Sequence, residues 1–497
     1  YERSFHAVSA ATMDVGTEVT VADATDRALV QQFLQQGSGW DFSAGTGKAV
    51  TAAVDQWHKI AGLYGGVGIA ADAFRYGVLR DEGYPKPEVD QARVHLLAAL
   101  DALHLAKAIT GTAPSIARGF IRTDIPKGAY STTPLFDSGG NPLPPEKNNG
   151  TWRDDNSGGL YPNHIWEDSC SRDMLIGWVA AMGAVWEVIE NDSTIPQGQK
   201  QQLQADAKQL GLGLSVVQKS GFDLELVDAD GRTTYHGYLN ENNFDRIYVP
   251  NPWIKNGVHA IMALGIVATL VHVSGDAALQ AYLDQQLIAK RKLHEIAKNQ
   301  LIVDAGPKSN YSGYNMAFMG AWLAARHLKD AQALADVRAA LKDKLYNNPL
   351  GATKPQPVGW KQSLFDLFYA AGMAEASAHG PTTGAVDAQA LANALDTLGQ
   401  FPQPPFWAEP VENCDAQELQ NKLCTAVDGK TTIVLNPIND RGDNPQSLTP
   451  MPFALRPPSN YDWRSNPFRV NGGGGGTLML SGVDFRFAYW LGRWVRR

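Results

Sequence analysis

The sequence predicts a predominantly all-α fold, an (α/α) toroid of about six helical hairpins with long ordered loops and a few short strands. Three observations predict it. Segments that are apolar all round alternate with segments carrying only a narrow apolar stripe. Four such pairs follow one another between residues 174 and 399, and strand patterns elsewhere are sparse. An all-round apolar helix must be covered on every side, whereas a striped one keeps a face for water. Two concentric layers satisfy both demands.

In chain order, helix is expected over 48–80 and 89–109, the latter with Leu96, Leu100 and Leu103 on one face. The paired segments follow: 174–189 ("MLIGWVAAMGAVWEVI") with 196–212, 258–273 with 276–298, 314–325 with 329–345, and 362–376 with 386–399. An α-solenoid is the competing architecture, but neither a constant repeat length nor a repeated consensus is present. Short hairpins are expected at "FDLELVD", "TTIVLN" and "GTLMLSGVDFRFAYW". The connections 111–165, 220–256, 299–312 and 400–480 are dense in Trp, Tyr, Asn, Asp and Arg, which suits ordered lips of one cavity. The glycine run 471–476 reads as a mobile turn, or else as backbone that a ligand approaches closely. The whole is expected to form a single toroid domain over 1–497, with 400–480 a loop-rich segment packed on it.

Bulk composition excludes several partners. Asp plus Glu outnumber Lys plus Arg, 51 to 43, and no basic stripe occurs, which argues against nucleic acid or an anionic membrane. The longest apolar run, 258–273, is interrupted by His259, Thr269 and His272 and is short for a transmembrane segment. Thirteen Trp and sixteen Tyr suit a partner with flat sugar faces, although they are also common core residues. Cys414 and Cys424 are either a disulfide formed in an oxidising compartment or two free thiols, while Cys170 is expected without a partner. No C-x-x-C or Cys/His cluster calls for a metal or cofactor. The start at Tyr1 fits an exported protein whose signal peptide has been removed, or a trimmed sequence. Nothing in the sequence sets an oligomeric state.

Five clusters concentrate the chemistry: "SIARGFIR" (115–122), "IWEDSCSRDMLIG" (165–177), "LVDADGRTTYHG" (226–237), "NYSGYNMAF" (310–318) and "YDWRSNPFRVNGGGGG…GVDFRFAYWLGR" (461–493). From about residue 85 onward, the combination resembles a family of exported bacterial α/α-toroid proteins. That family is itself similar to heparinase-like and six-hairpin glycosidase-like enzymes. The resemblance implies the toroid and an extracytoplasmic location, whether periplasmic, secreted or surface-attached, without fixing a reaction. Two positions depart from the family pattern: His236, where an aromatic residue usually precedes the Gly, and Tyr314, where His is usual.

Within the second cluster, Asp168 or Ser169 is the expected N-cap of the 174–189 helix, and Asp173 favours its dipole. Ser169, Asp173 and Gly177 are spaced to share one face. A carboxylate at the end of an inner helix faces the central cleft, where burial raises its pKa for general-acid work and Arg172 opposes that. Arg118 and Arg122 suit carboxylate or sulfate recognition, or else salt bridges to Asp124, Asp154 or Asp155. "DADGRT" resembles a calcium loop, but the twelfth position counted from Asp228 is Leu239, so a tight turn between strands is expected. His236, Asn240, Asn242 and Asn243 put an imidazole and amides on a loop leading to the next inner helix. Tyr311, Tyr314 and Asn315 stand at the mouth of another. Asp484 alternates with Phe485, Arg486 and Phe487 in a period-two pattern, as a strand-end carboxylate facing the cleft or a partner for an arginine. Trp166 and Trp490 complete the expected substrate-binding set.

Three functions fit. A glycoside hydrolase would draw two carboxylates from Asp168, Asp173 and Asp484, with a separation of about 6.5–9.5 Å for inversion. A polysaccharide lyase would use Tyr311 or His236 as base, with Arg118 or Asn240 binding the uronate carboxylate. A non-catalytic glycan-binding or structural surface protein would keep the toroid without turnover.

Overall fold

The computed structural model describes residues 1–11, 15–36, 50–125, 151–303, 308–309, 311–347, 357–376, 382–383, 386–437, 439–440, 444–459 and 466–496. Asn310 and residues 461–465, parts of two of the five clusters, lie outside the described residues.

The helices in order are α1 (Glu2–Ser4, continuing as a π-helical turn Phe5–Ser9), α2 (Ala24–Gln36), α3 (Gly62–Asp81), α4 (Lys86–Ala108), α5 (Arg172–Ile189), α6 (Gln197–Ser215) and α7 (Gly257–Ser274). Then come α8 (Ala277–Ala281, continuing to Lys290), α9 (Leu293–Gln300), α10 (Ser312–His327), α11 (Ala331–Ala340, continuing to Tyr346), α12 (Ser363–Met373), α13 (Ala388–Gly399) and α14 (Val483–Val495). Helices α3, α5, α7, α10, α12 and α14 each pack on the next, and α14 packs back on α3. The inner ring is closed. Outside it, α4 covers α3, α6 covers α5 and α7, α9 covers α7, α11 covers α10, and α13 covers α12 and α14. This is the (α/α) toroid.

The ring closes because its helices are apolar all round and carry glycine where they cross. Every residue from 175 to 186 of α5 is buried, as is every residue from 259 to 271 of α7. By length and composition α7 is apolar enough to cross a membrane, yet most of it is buried within the protein. A Cβ on Gly177 of α5 would lie 2.5 Å from the Leu63 Cα of α3, and one on Gly320 of α10 would lie 2.9 Å from the Met262 Cα of α7. Both glycines let backbones approach at distances no side chain permits. At the seam, α1 bridges α14 and α3. Arg486 donates to Glu2 at 2.8 and 2.9 Å and to Asp72 at 2.5 Å, and Trp490 donates to Glu2 at 2.8 Å.

Short strands from distant parts of the chain form two four-stranded sheets. One sheet has the order Phe406–Trp407, Leu478–Leu480, Val19–Thr20, Gln56–Trp57; the other has Ile60–Ala61, Gly119–Arg122, His164–Glu167, Trp152–Asp154. Both are antiparallel throughout. The expected hairpin around "DADGRT" is present as Glu225–Val227 paired with Thr233–Tyr238. Asp228 accepts from the Asp230 and Arg232 amides, and Gly231 lies at φ +73°. Cys414 and Cys424 are disulfide-bonded, and Cys170 is a buried free thiol whose pKa burial pushes up.

Four local expectations are corrected. Helix does not fill 50–61, which form a 3-10 turn and two short strands, because Trp57 and Ile60 are taken up by sheet pairing; 48–49 lie outside the described residues. "FRFAYW" is helical, since Phe487, Leu491, Trp494 and Val495 make a 3.6-residue stripe that outlasts the short alternation. "GFIR", inside the 111–165 connection, is a strand, pairing with "HIWE". The glycine run is pinned: the Gly474 and Gly476 amides donate to the Ala408 carbonyl, and Gly473 sits at φ +88° against the Glu409 backbone.

Candidate functional site

A cleft of about 460 Å³ opens where the N-terminal ends of α3, α5 and α10 meet. Leu63 and Tyr64 line it from α3, Asp173 and Met174 from α5, and Tyr311 and Ser312 from the start of α10. Glu18 enters from the segment before the Val19–Thr20 strand, and Asn466, Arg469, Gly473 and Gly474 from the C-terminal connection.

Asp173 owes its position to the start of α5. The N-cap is Ser171, in extended conformation, rather than Asp168 or Ser169; Ser169 lies before the helix at φ +66° and shares no helical face with Asp173. The Ser171 hydroxyl donates to Asp173 and receives the Arg118 guanidinium at 2.7 Å. Arg118 also pairs with the buried Glu167 at 3.4 Å, and Lys59 pairs with the same carboxylate. A chain of charge thus runs from Lys59 through Glu167, Arg118 and Ser171 to Asp173. Each buried group in it has a partner, as burial of charge requires.

His236 stands on the Thr233–Tyr238 strand, not on a loop, and is half-buried. Burial first, and Arg172 second, lower its pKa, with Asp173 opposing and Arg118 adding to the effect. Arg118, Arg172, Asp173 and His236 are therefore electrostatic neighbours. Arg172 also bears on His259, whose pKa burial pushes down to about 3 while its Nδ1 lies 3.1 Å from the Asn240 carbonyl oxygen. Tyr311 is the apolar wall of the cleft. Its ring lies beside Tyr314, Trp360 and Phe365, and its hydroxyl accepts from Gln362 at 2.7 Å.

The remaining expected residues lie elsewhere. Asp168 accepts from the Ser169 and Ala229 amides and from Arg153 at 2.6 Å, tying the Trp152–Asp154 strand to the 225–238 hairpin. Burial raises its pKa to about 6 against the pull of Arg153. Arg122 forks onto Asp124 at 2.8 and 2.7 Å and lines a different cavity. Trp166 is fully buried and donates to the Asp154 carbonyl. Asn240 holds Asp223, and Asn243 accepts from the Arg246 amide. Tyr314 and Asn315 are buried in α10, and Trp490 is committed to Glu2. Asp484 is wholly buried in the first turn of α14 and does not line the cleft.

Glu18, Tyr64 and Arg469, which the sequence analysis did not single out, also line the cleft. One signal for Glu18 was present. In "TEVTV" the residues Thr17, Val19 and Val21 are buried and Glu18 and Thr20 are not, the alternation of a strand with one wet face.

No family model matches the sequence, and no curated protein matches it. Solved structures with some likeness include the cellulase Cel9M of C. cellulolyticum (10% identity, covering 96% of this chain and 99% of that one, TM-score 0.38). The endoglucanase of the termite Nasutitermes takasagoensis gives 12% identity, 96% and 95% coverage and a TM-score of 0.38. A single-mutant thermostable endoglucanase of Alicyclobacillus acidocaldarius gives 12%, 91% and 77%, and 0.36. Likenesses this distant carry no functional argument.

Proposed function

We propose that the cleft binds carbohydrate and hydrolyses a glycosidic linkage, with Asp173 and Glu18 as the carboxylate pair. One observation carries this reading: two acidic side chains from distant parts of the chain line the same 460 Å³ cleft as Tyr64, Tyr311 and Arg469. The Ser171 hydroxyl, backed by Arg118, holds the Asp173 carboxyl in place as general base or nucleophile. Glu18 is left as the general acid that protonates the leaving oxygen. Tyrosine rings offer flat faces to sugar rings, and Asn466 and Arg469 offer hydroxyl partners. The disulfide between Cys414 and Cys424 supports an oxidising, extracytoplasmic location. The 400–480 segment supplies Asn466, Arg469 and Gly473 to the cleft, which supports one toroid domain working as a unit.

A second reading has its own observation. Arg469 shares the cleft with two tyrosines, the residue types that a lyase uses to hold a uronate carboxylate and move the neighbouring proton. The two readings separate in one assay. Neutral and uronate polysaccharides are incubated with the protein, and both reducing ends and the ultraviolet absorbance of unsaturated products are followed. Reducing ends without absorbance support hydrolysis; absorbance supports elimination. Neither signal across the panel, with binding retained, makes the protein a glycan binder.

A further inference from the structure

A second cavity of about 460 Å³ lies on the outer side of the ring, among α4, α6 and the Gly119–Arg122 and His164–Glu167 strands. We infer that it is a separate pocket for the end of a neutral saccharide. Its apolar floor is Phe120 with Leu105 and Ala102, and its walls are polar. Tyr161, Asn163, His164 and Gln202 line it, and their side-chain hydrogen-bonding groups are not spent on other described residues. His164 Nδ1 is buried without a hydrogen-bond partner, and the Tyr161 hydroxyl and the Asn163 and Gln202 amides bond to no other described residue. A buried polar atom such as His164 Nδ1 is rarely left in that state unless water or a ligand completes it. The rings are arranged to offer edges and faces, with Tyr161 and Phe120 set edge-on to His164 at 6.0 and 6.3 Å.

The charges present select a neutral ligand. Arg122 is forked onto Asp124, His104 Nδ1 lies 2.8 Å from an Asp206 carboxylate oxygen, and Asp101 accepts from Gln199. An anion would meet cations already neutralised and a carboxylate at the wall. A metal ion is not favoured either: among the described residues the one group of three candidate ligands close enough together is Glu2, His6 and Asp72, at the seam of the ring. What remains is a set of uncommitted donors and acceptors above an apolar floor, the anatomy of a pocket for a polyhydroxylated ring.

The inference concerns binding and does not depend on turnover in the cleft. Saturation-transfer NMR tests it with D-glucose, D-galactose, D-mannose, maltose and cellobiose, against D-glucuronate and inorganic phosphate. At least one neutral sugar is expected to bind. Its affinity falls about three- to tenfold in Tyr161→Phe and in Gln202→Ala, the loss of a neutral hydrogen bond, and is unmoved by Asp173→Asn. Tyr161→Phe removes one oxygen and Gln202 lies on an outer helix, so at least one variant keeps the native melting temperature. The proposal is overturned if no neutral sugar binds, if binding ignores both variants, or if glucuronate or phosphate binds in preference. Failure of the hydrolase reading shows as absent product and leaves this readout intact.

Discussion

Arg118 donates to the Ser171 hydroxyl at 2.7 Å, and that hydroxyl in turn donates to Asp173, so a residue just before the Gly119–Arg122 strand fixes the position of a carboxylate on the inner ring. Arg118→Ala releases Ser171 and leaves Glu167 to Lys59 alone. Turnover is expected to fall about ten- to a hundredfold, with KM little changed, because the group acts through Asp173 and not on the substrate. A rise in KM at unchanged kcat would place Arg118 in substrate binding instead.

The α3–α5 crossing positions Asp173, and Gly177 permits it. In Gly177→Ala the new Cβ meets backbone atoms of Gly62 and Leu63, which cannot swing aside as a side-chain tip does. A loss of about 1–3 kcal/mol is expected from overpacking, read by urea unfolding. Turnover falls with it, since Leu63 and Tyr64 line the cleft on the displaced helix.

Arg486 is wholly buried and holds both Glu2 and Asp72. Burial alone would raise the Asp72 pKa, but Arg486 and His6 outweigh it and keep that carboxyl well below its ordinary value. Arg486→Met takes the main cation from two carboxylates in the seam, leaving Asp72 to His6 and Glu2 to His6 and Arg75. Breaking a buried pair in this way costs about 3–5 kcal/mol. Thermal and urea unfolding are expected to register that loss; a change near zero would mean that the seam does not hold the ring.

Acid destabilises the fold below the ordinary histidine range. Burial first, then His6, lowers the His95 pKa to about 3; burial and then Arg172 lower His259 to about 3; burial and then His272 hold His327 well below its ordinary value. Each is neutral in the fold and takes a proton when unfolded, so its contribution is full above about pH 6.5 and is lost as pH falls toward 3. Asp168, raised to about 6, runs the other way: its contribution is present below about pH 4 and is lost as pH rises through 6. Three imidazoles outweigh one carboxylate. Unfolding free energy is expected to drop between pH 6.5 and 4, and His259→Gln to flatten that limb. A profile rising toward pH 4 would contradict it.

The inner and outer layers were legible because α5, α7 and α10 are apolar all round while α6 and α13 are striped, and burial on every side leaves that mark in sequence. Polar mouths on inner helices were legible for the same reason, which is how Asp173 and Tyr311 were found. What failed was local geometry and distant pairing. Asp168 looks like a cap, yet the chain turns at Ser169 and gives that place to Ser171. Asp484 looks like a strand carboxylate only while the window stops before Leu491 and Trp494. Glu18 stands alone just before a short strand, and no neighbouring motif ties it to Asp173. Only the closing of the ring brings them to one cleft.

The most direct measurement is product release by Asp173→Asn and Glu18→Gln on whichever polysaccharide the native protein degrades fastest. Each substitution keeps side-chain shape and removes the ionisable carboxyl. The account predicts that each variant loses about a thousandfold or more in kcat at an unchanged melting temperature, a loss that general acid–base and nucleophilic roles supply. Native turnover in both variants would contradict it and move the chemistry out of this cleft.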